Sequence, residues 1–299
     1  MVEIESVIEH STVKHKLKKQ QRQLFMQRLL SNKQILTGGI LLLVLIIITL
    51  FGPLLVPYSP YQMEVMDRLK SPNGLHLLGT DEFGRDLLTR IIYGGRITIG
   101  VGLSVALISS VLGLIVGLYA SYYRALDQIL MRICDGLMAI PAILLAIALM
   151  AALGPNTMNV IIALSIVFTP YIARVIRSSA LVVREQTYIE AMRAQGASNL
   201  RIIWRHIMPN TISPLVIQAT FIFAEAIIIE AALSFLGAGV PAPEPSWGSI
   251  LHDGKTVIFN AWWMTVFPGI TIVMSVLGLN LLGDGLRDLI DPHTNHAKK

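Results

Sequence analysis

The sequence predicts an all-α integral membrane protein with six transmembrane helices and both termini in the cytoplasm. Three observations carry this expectation. The 299-residue chain is 54% hydrophobic and only 14% charged, whereas an ordinary soluble domain carries about 25% charged residues. The apolar residues gather into charge-free runs long enough for the ~20-residue helix that crosses ~30 Å of hydrocarbon. The basic residues concentrate in segments that fall on one side of such a topology.

The elements follow in order. Residues 1–33 form a basic arm with Lys14, Lys16, Lys18, Lys19, Arg22, Arg28 and Lys33, which holds most of the net charge of +5. Beside a membrane span, that arm reads as a cytoplasmic flank rather than a nucleic-acid site. No charge occurs between Lys33 and Glu64, giving span one at 35–57. The run is too long for a signal-peptide core and no small-x-small cleavage pattern follows, so it reads as an uncleaved span. The run between Arg96 and Arg124 gives span two. The run between Asp135 and Arg174 breaks at "GPNTMN", 154–159, a Gly/Pro turn. It yields spans three (137–153) and four (159–181). Spans five and six run over 213–237 and 262–284.

Loop charge checks the orientation. Arg124 and Arg132 in 121–136, and Arg174, Arg177, Arg184, Arg193, Arg201 and Arg205 in 174–205, all fall inside. The external loop 238–261 has Lys255 as its one Lys or Arg. The external segment 58–96 is the weakest part of this assignment. Its five basic residues are balanced by Glu64, Asp67, Asp81, Glu82 and Asp86.

The longest internal loop holds "EAMRAQGASNLRIIWRHIMPN", 190–210. Its first part is helix-compatible and ends at Gly196, a natural C-cap. Ser198 can N-cap a second short helix. On that helix Leu200, Ile203, Trp204 and Ile207 share one face at i, i+3, i+4, i+7. Pro209 then blocks continuation. Pattern alone leaves two uses for this apolar face: rest on lipid headgroups, or dock a partner with a groove.

Other residues have structural readings beside functional ones. Glu225 and Glu230 lie inside span five, where a carboxylate costs a few kcal/mol and must face protein or water. They serve either a polar path or interhelical hydrogen bonds. Five residues apart, they point about 140° apart on a helix and do not make one coupled site. Glu230, nearer the outer end, is the better candidate for an outer vestibule. Asp81, Glu82, Arg85, Asp86 and Arg90 read as a charged helix start that fixes the entry angle of span two, with Asp86–Arg90 at i, i+4 spacing; contact with an external protein is the alternative. Trp262 and Trp263 read as interfacial anchors, and Trp247 as part of a structured external cap. Gly38, Gly39, Gly102, Gly113 and Gly117 permit close helix packing. The single Cys134 reads as a small apolar packer. No GxxxxGK[ST], HExxH, CxxC or Ser-His-Asp pattern is present, so a non-catalytic subunit with no metal site is expected.

The 190–210 stretch resembles the EAA loop of ABC importer permeases. That loop reads E-A-A, three residues, Gly, then a segment ending near Ile-x-Leu-Pro. Here it is Glu190-Ala191-Met192, Gly196 and "HIMP" to Pro209. Met192 and Met208 depart from the pattern, and the isoleucine at 207 falls one position late. Three further segments are similar to the second permease subunit of dipeptide, oligopeptide and nickel importers. They are "LLGTDEFGRDLLTRIIYGGRITI" (77–99), "SFLGAGVPAPEPSWGSILHDG" (234–254) and "LNLLGDGLRDLIDP" (279–292).

The resemblance implies the type I importer permease fold in a bacterial inner membrane. It divides the chain into the arm 1–33, a first helix with external segment 34–95, a transmembrane type-1 domain 96–286 with a coupling loop at 184–212, and a tail 287–299. It implies a homologous second permease, two ATPase subunits carrying ATP and Mg, and an extracytoplasmic binding protein. Glu190, Ala191, Met192, Gly196, Leu200, Ile203, Trp204, Ile207 and Pro209 would form the element that meets an ATPase. Peptides are the default cargo, with nickel or a metal chelate as the alternative. A proton-coupled secondary transporter using Glu225 and Glu230 is the competing class; it predicts inverted repeats and midplane helix breaks, neither of which is visible. A membrane enzyme or scaffold is a further class, and it needs a catalytic cluster.

Overall fold

A computed structural model describes residue 20, residues 26–27 and residues 29–290. The basic residues from Lys14 to Arg22, Arg28 and the end of the C-terminal tail lie outside the described residues. The regular structure of the described residues is helical, with a long irregular segment at 55–86. Asn32 opens α1 (Lys33–Phe51), its side chain accepting from the backbone N–H groups of Gln34 and Ile35. A 3₁₀ turn with Pro53 ends that helix. Asp86 caps α2 (Leu87–Tyr122) by accepting from the Thr89 backbone. Then come α3 (Arg124–Met138), α4 (Ala142–Leu153) and α5 (Thr157–Arg184), the last capped by Asn156.

The next stretch positions the candidate site. It comprises α6 (Thr187–Ala194), α7 (Asn199–Ile202), a π turn (Ile203–Ile207) and α8 (Met208–Phe235). The external α9 (Trp247–Gly254) and the final span α10 (Trp263–Ile290) complete the chain.

Five helical segments are long and apolar enough to cross a membrane: Lys33–Leu54, Leu87–Tyr122, Thr157–Arg184, Asn199–Phe235 and Trp263–Leu289. The third expected span is different. At 12 residues, α4 is about 18 Å long and cannot cross ~30 Å alone. It joins α3 at a 94° bend, the geometry of a broken span or a re-entrant loop. Pro141, just before α4, explains the break, since proline has no N–H to continue a helix.

α2 packs most extensively on α5, α8 packs against both, and α10 packs on α1 and α8. Glycines set the closest approaches. A Cβ on Gly113 would sit 2.6 Å from Ile172 Cβ, and one on Gly117 2.6 Å from the Ala173 carbonyl oxygen. Gly102 meets Phe223 and Ile227 in the same way, and Gly38 lets α1 approach the α10 backbone at Gly278. Gly39 faces open space, so of that adjacent pair one glycine packs.

The two ends of the bundle are distinct. At one end Asn32 donates to the Gly285 carbonyl at 3.4 Å, joining the start of α1 to the end of α10. At the other end, Trp263 donates to the Thr80 carbonyl at 3.0 Å and Trp247 to that of Ile91 at 2.9 Å. Both rings are buried, while Trp262 is exposed. Of the expected tryptophan anchors, Trp263 therefore locks onto protein and Trp262 alone faces outward. α9 closes the outer end under a capping box made by Ser246 and Ser249.

The expected Asp86–Arg90 side-chain pair does not form. Asp86 is already committed to its cap and to His76 Nδ1 at 2.9 Å, so Arg90 turns to Asp81 and Asp253, each at 3.5 Å. Cys134 is buried, as its apolar reading requires.

Candidate functional site

The loop between α5 and α8 is built on a glycine. Gly196 has φ +79°, a conformation open to glycine and strained for other residues. The Gly196 N–H donates to the Arg193 carbonyl and the Ala197 N–H to the Met192 carbonyl, both at 3.0 Å. Those two bonds close the end of α6 as a Schellman motif. Ser198 takes the N-cap position of α7 with extended backbone, but its side chain makes no capping bond.

The second short helix does not end at Pro209. Residues 199–235 are one continuous helical path, because the π turn absorbs the proline. The Met208 N–H bonds to the Ile203 carbonyl, five residues back. The wider turn makes room for the Pro209 ring, which otherwise clashes one turn earlier. The loop is therefore one short helix, a glycine corner and the cytoplasmic extension of α8.

The expected four-residue apolar face splits for the same reason. Ile203 and Ile207 are fully buried, whereas Leu200 is 58% and Trp204 37% exposed. The π turn rotates Ile207 back toward Ile202 and away from Trp204. Ile189 on α6 and Ile202 on α7, both outside the expected set, complete the buried root. They join the main core with Phe168, Ile172 and Ile222. Each such side chain contributes about 1.5–3 kcal/mol when fully buried.

Above this root lies an exposed crown of Tyr188, Glu190, Ala191, Gly196, Leu200, Trp204 and Pro209, with Met192 half-buried. The crown is tied to the end of α2. Tyr122 donates its hydroxyl proton to Asn199 Oδ1 at 2.7 Å, and Arg193 stacks over the Tyr122 ring at 5.3 Å. Arg184 donates to the Ser121 carbonyl at 2.6 Å. The crown thus joins a flexible-looking sequence to three long helices. Periodicity could not reveal Tyr122 or Asn199, since the two are 77 positions apart.

The two membrane carboxylates of α8 are separated as the 140° estimate requires. Glu225 is exposed on the described chain and Glu230 is wholly enclosed. Ser234 donates to Glu230 Oε1 at 2.7 Å and accepts the Val240 N–H at 3.0 Å. Thr98 and Ser246 lie beside the same carboxyl, while Oε2 has no hydrogen-bond partner. In this conformation Glu230 lines no open vestibule. It joins α8 to α2 and to the cap of α9.

The model of the family described as "Binding-protein-dependent transport system inner membrane component" matches residues 109–296. The "N-terminal TM domain of oligopeptide transport permease C" matches residues 20–72. A putative peptide transport system permease protein of Brucella abortus is 49% identical over 266 residues, covering 89% of this chain and 90% of the relative. The dipeptide transport system permease protein DppC of Alkalihalophilus pseudofirmus is 44% identical, covering 89% of this chain and 88% of that protein. Among solved structures, a chain of the inward-facing MetNI methionine ABC transporter superposes with a TM-score of 0.57 at 22% identity. The match covers 68% of this chain and 97% of that one. At that identity the likeness carries the fold.

Proposed function

The chain belongs to the family of inner membrane components of binding-protein-dependent transport systems, and from that premise we propose that it is one pore-forming subunit of an ATP-driven importer of di- and oligopeptides. The peptide cargo follows from the names of relatives at 40–49% identity. Its partners are a homologous permease, two ATPase subunits that hold ATP and Mg, and an extracytoplasmic binding protein. This subunit contributes no catalytic group. It transmits movement.

The carrying observation is the split of the 187–210 loop into a buried root and an exposed crown. Leu200 and Trp204 present apolar surface to the cytoplasm, flanked by Arg201 and Arg205. A groove on an ATPase takes such a helix end by its apolar anchors. Ile203 and Ile207, packed into the core with α5 and α8, pass displacement of the crown to the spans. Rigid-body rocking of packed helices then switches access from one side of the membrane to the other. Glu190, Ala191, Met192 and Gly196 set the corner that aims the crown, and Pro209 sits where the crown joins α8. Glu225 remains a candidate for the polar path, and Glu230 for a structural brace beside it.

The test replaces Leu200 and Trp204 together by aspartate, in the complex expressed with its partner subunits. Both side chains are exposed, so the thermal stability of the permease pair should hold. Co-purification of the ATPases and uptake of a dipeptide into proteoliposomes should both fall at least about tenfold, the loss expected from two interface anchors. Full retention of both would refute the docking role.

A further inference from the structure

Between α3 and α5 lies a polar cleft that the coupling scheme does not use. It has a volume of ≈ 410 Å³ and is lined by Asp127, Gln128, Arg132, Asp135, Arg174 and Arg177. Met131 supplies an apolar patch in the same wall. The cleft sits at the inner half of the bundle: Arg177 is seven residues before Arg184, which binds the α2 end, or roughly 10 Å along the helix.

Two ion pairs hold its walls. Arg177 grips Asp127 with two N–H groups, the Nη2 contact at 2.7 Å, and Arg174 donates to Asp135 at 2.6 Å. The Arg174–Asp135 pair is more than half exposed at both partners. Arg132, by contrast, has no hydrogen bond or ion pair among the described residues. Three guanidiniums facing two carboxylates leave one positive charge unmatched. The lining thus displays both signs, with a free cation and an exposed carboxylate on one helix, three residues apart.

We propose that this cleft is a transient seat for the zwitterionic backbone of a short peptide on its way to the cytoplasm, an inference that rests on the peptide-importer reading. Arg132 takes the terminal carboxylate, with Arg174 in reach of the same end. Asp135 takes the terminal ammonium through its exposed oxygen. Met131 accommodates side chains of varied shape, since methionine is flexible and polarisable. The chemistry favours a zwitterion over an anion: a phosphate or lipid headgroup gains from the guanidiniums but is repelled by Asp127 and Asp135. The volume lies at the low end of small-molecule sites, suited to a dipeptide. Openness and mutual pairing of the charges keep the affinity low, as a pathway site requires if cargo is to leave.

The experiment uses the assembled complex in nanodiscs without nucleotide. The probe is a photoreactive dipeptide, benzoylphenylalanyl-alanine, whose ketone captures nearby methionine. Expected is labelling of Met131, competed by dialanine and not by N-acetyl-dialanine amide. Arg132→Gln should reduce the labelling about tenfold, the loss of one charge-assisted bond, and Arg132→Lys should restore most of it. Labelling indifferent to Arg132→Gln, or competed equally by the capped peptide, overturns the site. So does labelling suppressed by added phosphatidylglycerol and untouched by dialanine. Uptake is measured separately, with the same complex in proteoliposomes supplied with ATP: dipeptide uptake there with Met131 unlabelled in nanodiscs overturns the site alone, and absence of both uptake and labelling overturns the peptide reading with it.

Discussion

Ile203 and Trp204 are neighbours in sequence and opposites in environment: the first is sealed in the core and the second stands 37% exposed at the cytoplasmic surface. One peptide bond therefore separates the part of the loop that holds the fold from the part proposed to meet an ATPase. The two should be separable by mutation. Ile203→Ala leaves a cavity and should destabilise the permease by about 2–5 kcal/mol. Trp204→Ala should leave stability within about 0.5 kcal/mol, as for other surface changes, while weakening ATPase binding. Thermal unfolding in detergent and co-purification are the two readouts; a Trp204→Ala protein that melts as early as Ile203→Ala would place the tryptophan in the root.

Glycine packing gives a second contrast. Gly113→Ala places a methyl 2.6 Å from Ile172 Cβ. The α2–α5 contact must then open, at a cost of about 1–3 kcal/mol. Gly39→Ala meets nothing within 4 Å and should be neutral or gain up to about 1 kcal/mol of helix propensity. Melting temperatures of the two variants, measured side by side, decide the matter; equal losses would mean that close approach is not what Gly113 provides.

Glu230 should behave as a brace. Glu230→Gln keeps the shape and an acceptor for Ser234, so the fold should survive with a small loss. Glu230→Ala leaves a cavity and frees Ser234 from one of its two partners. It should lower stability by about 2–4 kcal/mol. Glu225→Ala, on an exposed position, should leave the melting temperature unchanged. A stable Glu230→Ala protein with altered uptake would instead give Glu230 a place in the path.

Much of this was legible in the sequence, and the failures have local causes. Runs that are charge-free, or broken only by Glu225 and Glu230 in span five, located five spans because burying a charge in hydrocarbon is costly enough to clear whole segments. The Schellman corner was legible because only glycine suits its φ. The third span is where the structure adds a feature that hydropathy does not show: its apolar run is real, but Pro141 turns the chain within it, so α4 is short and bent against α3. The 200–207 face was misjudged because a helical wheel assumes 3.6 residues per turn, and the Pro209-linked π turn does not keep that period. The doublet Ile202–Ile203 was the available signal, since adjacent buried residues exceed a single narrow stripe. The Tyr122–Asn199 clamp and the Arg132 cleft depend on contacts between distant segments, which periodicity does not encode.

The outer segment offers a pH test. Asp67 ends the short turn Val65–Asp67 and pairs with Lys70, and its second oxygen faces His76 Nε2 at 3.4 Å. The Lys70 ammonium holds the Asp67 carboxyl below its ordinary value; partial burial opposes this, and His76 adds to the lowering. The sign follows. A carboxylate whose folded pKa is depressed stabilises the fold fully above its unfolded value of about 4 and loses that contribution as pH falls through the lower folded value. Acidification should therefore loosen residues 58–86, where His76 and Asp86 also meet at 2.9 Å. Hydrogen exchange of that segment, followed from pH 6 to pH 3 with correction for intrinsic rates, should show protection falling at the acid end. Asp67→Asn removes the titrating group, so its protection should start lower and change less with pH. A variant that keeps the full wild-type acid response would assign that response to another carboxylate.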